Sequence, residues 1–221
     1  MILNDNLDFN QWSEVYKKLV YWELSLEKLE DNNMHEILTM QKSEANMQFS
    51  KFIENNYIQW INRPENAPIL SHQLFKKKVF PTIEDHIPTF FFLIDNLRFD
   101  QWKIINEVIT DYFRLEEEIN YYSILPTATQ YARNAIFSGL TPLEMEKRFP
   151  KLWQNDEDEG GKNLYEDKFL EDQIKRLYRK SIKHSYTKIL TLEQGKDVLD
   201  NLGNLMHNQL NVLVYNFVDM L

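Results

Sequence analysis

Three short stretches place polar groups where an apolar run stops. Asp95 and Asn96 follow TFFFLI, Thr127 and Thr129 follow INYYSIL and a proline, and Asp219 lies at the end of NVLVYNFV. Each run reads as a strand, and open α/β sheets bind ligands beyond the carboxyl ends of their strands. A carboxylate there is costly unless it is paired or bound to a cation. Two such carboxylates with a hydroxyl between them suit hard or borderline divalent metals. The spacing puts Thr129 at the head of a helix, where open backbone amides favour an anion. A bound zinc would lower the pKa of that hydroxyl and turn it into a nucleophile. Its attack on phosphorus would give a covalent intermediate, with metals and helix amides stabilising the phosphoryl oxygens.

Each residue also has a plainer reading. A threonine before a helix is usually an N-cap. That reading is preferred for Thr127, whereas spacing alone does not decide between cap and nucleophile for Thr129. Arg133 binds phosphate or forms a surface pair. Asp95 binds a cation or caps a helix starting near Arg98, and Arg98 and Asp100 form a structural pair. The five histidines (His35, His72, His86, His184 and His207) show no metal-ligand spacing among themselves.

The elements that must position these groups follow from hydrophobic periodicity. Trp12, Val15, Tyr16, Leu19, Leu26 and Leu29 recur at helical spacing, as do Met34, Ile37, Leu38, Ala45, Phe49, Phe52, Ile53, Tyr57 and Trp60. With EDNNM as a turn between them, residues 8–62 are predicted to form a helical hairpin. The long apolar stripe is read as internal packing, with a dimer or relay surface as the alternative. NRPENAP, with two prolines, is the predicted linker, and SHQLFKKKVFPTIEDHIP a short helix and approach loop. Beyond Thr89 strand and helix signals alternate. TFFFLI, INYYSIL, SYTKIL and LNVLVYNFVDML are strand-like; FDQWKIINEVITDYFRLEEE, a stretch near Ala132 to Phe137, another from Pro142, and LEQGKDVLDNLGNLM are helical. This pattern predicts an α/β sheet with covered faces. The acidic stretch NDEDEGGKNLYED reads as a solvated loop or a lid. The last apolar run has no turn or cap after it, so the domain is expected to continue past Leu221.

Composition narrows the function classes. The 221 residues suit one domain of ordinary size, or one plus a small appendage, and 43% hydrophobic residues supply a core. There is no cysteine, which removes disulfides and thiolate metal sites. No signal peptide is apparent, and the apolar runs are too short to span a membrane, so a soluble cytoplasmic protein is expected. The net charge of -9 disfavours a nucleic-acid binder that works through a basic face. It leaves room for a nucleotide-cleaving site made locally positive by metal ions.

LIDNLRFDQW together with YYSILPTATQYARNAIFSGL resembles the PglZ domain, a branch of the alkaline phosphatase superfamily. WSEVYKKLVYWELSLEKLE, QKSEANMQFSKFIENNYIQW and GLTPLEMEKRFPKLWQNDEDEGGKN look more closely like the PorX-type response regulators of the type IX secretion system, whose output domain is PglZ-like. The resemblance covers nearly the whole chain. It implies an N-terminal helical hairpin or bundle followed by the first part of an alkaline-phosphatase-like α/β sandwich. Residues 1–80 would be a helical linker or relay domain and 81–221 the N-terminal part of a PglZ domain. Two zinc ions are implied in the complete domain. Asp95 matches the family's first aspartate ligand. PTAT is similar to the PTxT of the nucleotide pyrophosphatase branch, which makes Thr129 both nucleophile and metal ligand. Asp219 looks like the aspartate of an Asp-x-x-x-His pair whose histidine would fall past Leu221. Asn96 and Arg133 are the expected substrate-binding residues.

The receiver domain of such regulators has no counterpart here, so a fragment lacking it is expected. The implied activity is zinc-dependent hydrolysis of phosphodiester bonds in cyclic or linear oligonucleotides. The implied partners are a sensor histidine kinase, a sigma factor, and a second copy of the protein once the receiver is phosphorylated. The alternative is a non-catalytic signalling module that dimerises through its helices and binds a nucleotide or a sigma factor, for which the aromatic stripes of residues 12 to 60 are the motive.

Overall fold

The computed structural model describes residues 7–27, 32–154, 163–178 and 181–216. Asp219 and most of the acidic loop lie outside these residues. By internal packing the chain divides into two units. One holds Met1–Pro68 and Arg98–Asn120, the other Ile69–Leu97 and Tyr121–Leu221.

The first unit is helical. α1 (Phe9–Leu26) begins at Asp8, whose carboxylate accepts hydrogen bonds from the amides of Asn10 and Gln11, both at 2.8 Å. Gln11 returns the bond by accepting from the Asp8 amide at 2.8 Å, which completes a capping box. α2 (Asn32–Asn62) packs along α1. Trp12 anchors the pair, with ring centroids 5.4 Å from Phe49 and 6.0 Å from Phe52, and Trp60 meets Phe52 at 5.5 Å. The predicted hairpin is therefore present, although Asn32 to Met34 already belong to α2 rather than to a turn.

α3 (Phe99–Ile109) joins this unit, where Tyr16 meets Phe99 at 5.7 Å. Arg98 grips Asp100 through Nε at 3.0 Å and Nη2 at 2.7 Å, the structural pair expected. The N-cap of α3 is Arg98, so Asp95 does not cap it. Glu118 accepts from the Trp102 indole at 3.0 Å and from Lys103 at 2.8 Å, which folds the segment after α3 back onto it.

The second unit is built on a parallel three-stranded sheet in the order β1 (Thr89–Ile94), β3 (Leu210–Tyr215), β2 (His184–Ile189). Thr89 is opposite Leu210 and His184 is opposite Leu210 on the other side. Side chains alternate between faces. Leu210, Val212 and Val214 therefore share one face with Phe91, Leu93 and Tyr186, and this face carries the core. Phe75, Phe137, Phe169, Leu170 and Ile174 fill it. β3 is central and buried almost throughout, Asn211 in its apolar run included. β1 departs from the covered sheet faces expected: among the described residues it is paired on one side only, and Phe92 and Ile94 on its other face are exposed.

The run INYYSIL is a second correction, because it forms no strand. Its backbone makes one isolated bridge, Tyr122 to Leu70, and Ile124 donates to the Ser71 hydroxyl at 3.0 Å. Short helical turns occupy Ser71–Gln73, Phe75–Val79 and Phe80–Thr82. α4 (Thr129–Ser138) is largely buried and ends at Gly139, whose φ of 63° is left-handed. α5 (Pro142–Arg148) starts with a Thr141–Glu144 capping box. α6 (Glu166–Gln173) packs against α4, and α7 (Leu192–Asp200) and α8 (Leu202–Leu205) connect β2 to β3. An α/β unit preceded by a helical segment is what the sequence predicts. Among the described residues no helix is long and apolar enough to cross a membrane.

Candidate functional site at the carboxyl ends of the strands

Parallel strands deliver their carboxyl ends to one edge of the sheet. Asp95 leaves β1 there with its amide donating to the Tyr215 carbonyl at 2.9 Å, and Asn216 leaves β3 with its amide donating to the Ile189 carbonyl at 2.9 Å. The ladder thus runs one step past the strands and fixes both side chains at their roots. Asn96 then turns the chain with a φ of 60°, a left-handed conformation that asparagine tolerates well.

Arg133, on α4, gathers this edge. Its side chain is only 4% exposed. Nη1 donates to Asp95 Oδ2 at 2.7 Å and to Asn216 Oδ1 at 2.6 Å. Nε and Nη2 donate to the two oxygens of Glu166, at 2.5 Å and 3.1 Å. Glu166 is the first residue of α6 and 1% exposed. Its Oε2 also accepts from the Tyr186 hydroxyl at 2.6 Å, and Lys188 stands 3.6 Å away. A two-toothed arginine–carboxylate pair of this kind is the strong form of the interaction.

Burial acts on these groups as physics requires. Desolvation is the largest influence on Arg133 and pulls its pKa down, but the Glu166 charge and hydrogen bonds, then Asp95, outweigh it and leave it raised. The Tyr186 phenol is pushed well above its ordinary range, first by burial and then by the charge of Glu166. Tyr121, beside Asp95, is pushed up by burial of its phenol and by the Asp95 charge. Tyr121 as a whole is nonetheless 39% exposed, so burial acts on its hydroxyl end more than on the residue.

The threonines lie on exposed backbone. Thr129 is the first residue of α4, and the N-cap is Ala128. The cap reading of Thr127 is therefore corrected: the helix starts one residue later than that role needs. Arg133 is a correction to the surface-pair reading, since Arg133 and its partner Glu166 are buried. Asp95, Arg133 and Asn216 are brought together by direct bonds. Thr129 shares α4 with Arg133, four residues apart and hence on the same face.

Asp95 has the chemistry of a cation ligand: a carboxylate at a strand end, its side chain 23% exposed, with one oxygen engaged by Arg133. The threonine hydroxyl is also an oxygen donor. Two donors fall short of the four that zinc takes, and among the described residues no three His, Cys, Asp or Glu side chains gather to hold a metal. The residues fit part of a metal site.

Sequence reasoning missed Glu166, Asn216 and Tyr186. Asn216 follows β3 as Asp95 follows β1, so the same strand-end argument reaches it. Glu166 carried no such signal, because in NLYEDKFLED it looks like the tail of an acidic loop.

Residues 74–221 match the family model of the BREX system PglZ alkaline phosphatase-like domain, and residues 1–61 match that of the PorX response regulator linker domain. No curated protein sequence matches the chain. The PglZ match spans more than half of the 221 residues. With its order of helical unit and α/β unit, the chain belongs to the PglZ alkaline phosphatase-like family, as a PorX-type regulator with the linker before that domain.

Proposed function

We propose that the chain is the output part of a two-component regulator and cleaves phosphodiester bonds in cyclic or linear oligonucleotides. The observation that carries this reading is the Asp95–Arg133–Asn216 junction at the strand ends, on the same helix that Thr129 begins. Thr129 Oγ1 gives up its proton and attacks phosphorus, the bond from phosphorus to the leaving oxygen breaks, that oxygen leaves as a hydroxyl with a proton from solvent, and the nucleotidyl group is held on threonine until water releases it. The open amides at the head of α4 and Asn96 are assigned to the phosphoryl oxygens, whereas the nitrogens of Arg133, the other substrate-binding residue expected, donate to Asp95, Asn216 and Glu166. Asp95, Thr129 and Asp219 are the residues proposed to hold zinc. Bound there, two zinc ions would neutralise developing charge and lower the pKa of the attacking hydroxyl.

The proposed partners are a sensor histidine kinase, itself dimeric, and a sigma factor of the type IX secretion regulon, with homodimerisation driven by receiver phosphorylation. The cytoplasm is the proposed location. A second reading, a non-catalytic module that dimerises through its helices, is favoured by the exposed Tyr21, Trp22, Met40 and Ile58 on α1 and α2.

Hydrolysis of a chromogenic phosphodiester with zinc, by the intact regulator, tests the enzyme reading. Thr129→Ala is expected to cut the rate at least about a hundredfold, as loss of a nucleophile does. An unchanged rate would move the nucleophile elsewhere, Thr127 first. No turnover in either protein favours the signalling module.

A further inference from the structure

Arg133 is placed unusually for a group that meets substrate. Each of its three side-chain nitrogens donates to a protein oxygen, and the side chain is buried. Glu166 takes Nε and Nη2 as a pair, so the guanidinium plane is fixed. Glu166 is itself held by the Tyr186 hydroxyl, from β2. The remaining nitrogen, Nη1, is shared between Asp95 and Asn216, the residues that leave β1 and β3. One side chain therefore ties two strand ends to α4 and α6.

The charges show what this arrangement achieves. Asp95 alone could have been neutralised by an arginine with no other partner. Such an arginine would swing with Asp95 and compete with any cation for it. Here Glu166 takes Nε and Nη2, so Arg133 stays where Glu166 holds it, and with Lys188 3.6 Å from Glu166 the two carboxylates and two cations balance. Asp95 is directed by an arginine that does not move with it. Thr129 lies one helical turn before Arg133, so the same contact sets the spacing between the helix head and Asp95.

We propose that Arg133 is a positioning residue that sets where Asp95 stands relative to Thr129, and that Glu166 and Tyr186 lock Arg133 for this purpose. The proposal rests on the reading of Asp95 as a cation ligand. It goes further by assigning the support that orients the ligand, a kind of support whose loss typically costs 10- to 100-fold in metal affinity.

The test uses the full chain and zinc alone. Two quantities are read: amide hydrogen exchange at residues 95–97 without metal, and zinc affinity by calorimetry. The variants are Asp95→Asn, Arg133→Lys, and the double variant Arg133→Met with Glu166→Met. The double variant removes both charges at similar volume, a change that buried ion pairs often tolerate. Far-UV circular dichroism checks folding.

Arg133→Lys and the double variant are both expected to exchange faster at 95–97, with amides of Val212 to Val214 unchanged, and to bind zinc about tenfold or more weakly. Lysine keeps the charge but not the fork, so a role that needs only charge would be rescued by it and a positioning role would not. Unchanged protection at 95–97 in a folded double variant overturns the proposal. If the double variant does not fold, Arg133→Lys decides alone, and wild-type protection in it overturns the proposal. Zinc affinity unchanged in Asp95→Asn contradicts the ligand reading instead, and the exchange data still decide whether Arg133 positions Asp95.

Discussion

At the scale of single residues, burial decides which charges are present. His72 sits in the turn Ser71–Gln73, and its Nδ1 is buried with no hydrogen-bond partner. Burial, the largest influence, holds its pKa below the ordinary value of 6.5; Glu144 opposes this and Lys77 adds to it. The folded chain therefore keeps His72 neutral while the unfolded chain takes up a proton as pH falls through 6.5. The stability tied to this group is present above that pH and is lost below it, down to the depressed folded pKa. Urea midpoints measured between about pH 7.5 and pH 5.5 are expected to fall more steeply in the wild type than in His72→Gln. Equal slopes would contradict the buried-neutral assignment. That Asp95 follows a strand and that Thr129 stands at a helix head was legible, because both are local facts. Glu166 was not legible, because its value comes from Arg133, 33 residues away in sequence.

Elements add constraints that no single side chain carries. α4 ends at Gly139, whose amide donates to the Ala135 carbonyl at 2.9 Å in a left-handed C-cap. A Cβ at this position would overlap the buried amide of Gln173 on α6. Gly139→Ala is expected to cost about 2–4 kcal/mol, from the left-handed backbone and the overlap together. Urea unfolding measures it, and a loss below about 0.5 kcal/mol, the range of an ordinary surface change, would contradict the close α4–α6 approach. The helices α1, α2 and α3 could be read from periodicity, since it is short-range. INYYSIL shows the limit: its residues favour a strand, but a strand needs a ladder, and here Tyr122 makes an isolated bridge to Leu70. Periodicity likewise identified α3 as a helix without saying which unit it joins. That depends on Phe99 meeting Tyr16, 83 residues earlier.

For the molecule as a whole, the chain passes between its two units three times, after Pro68, Leu97 and Asn120. The stretch Arg98–Asn120 thus belongs to the helical unit but is inserted between Asp95 and Thr129. Both ends of the insertion run into segments that carry candidate site residues. The helical unit and the site are therefore linked through the backbone on two sides, in a protein whose net charge of -9 gives substrate little general electrostatic attraction. Recognition then falls to the local groups at the strand ends, and the central claim is that Thr129 carries the reacting phosphoryl group there. The most direct measurement is acid quenching of the intact regulator during turnover of a chromogenic phosphodiester with zinc, followed by peptide mass spectrometry. The expected result is an adduct on Thr129 that carries phosphorus with the substrate's remaining ester group, absent from Thr129→Ala. Turnover with no adduct on Thr129, at a rate that Thr129→Ala leaves unchanged, would contradict it.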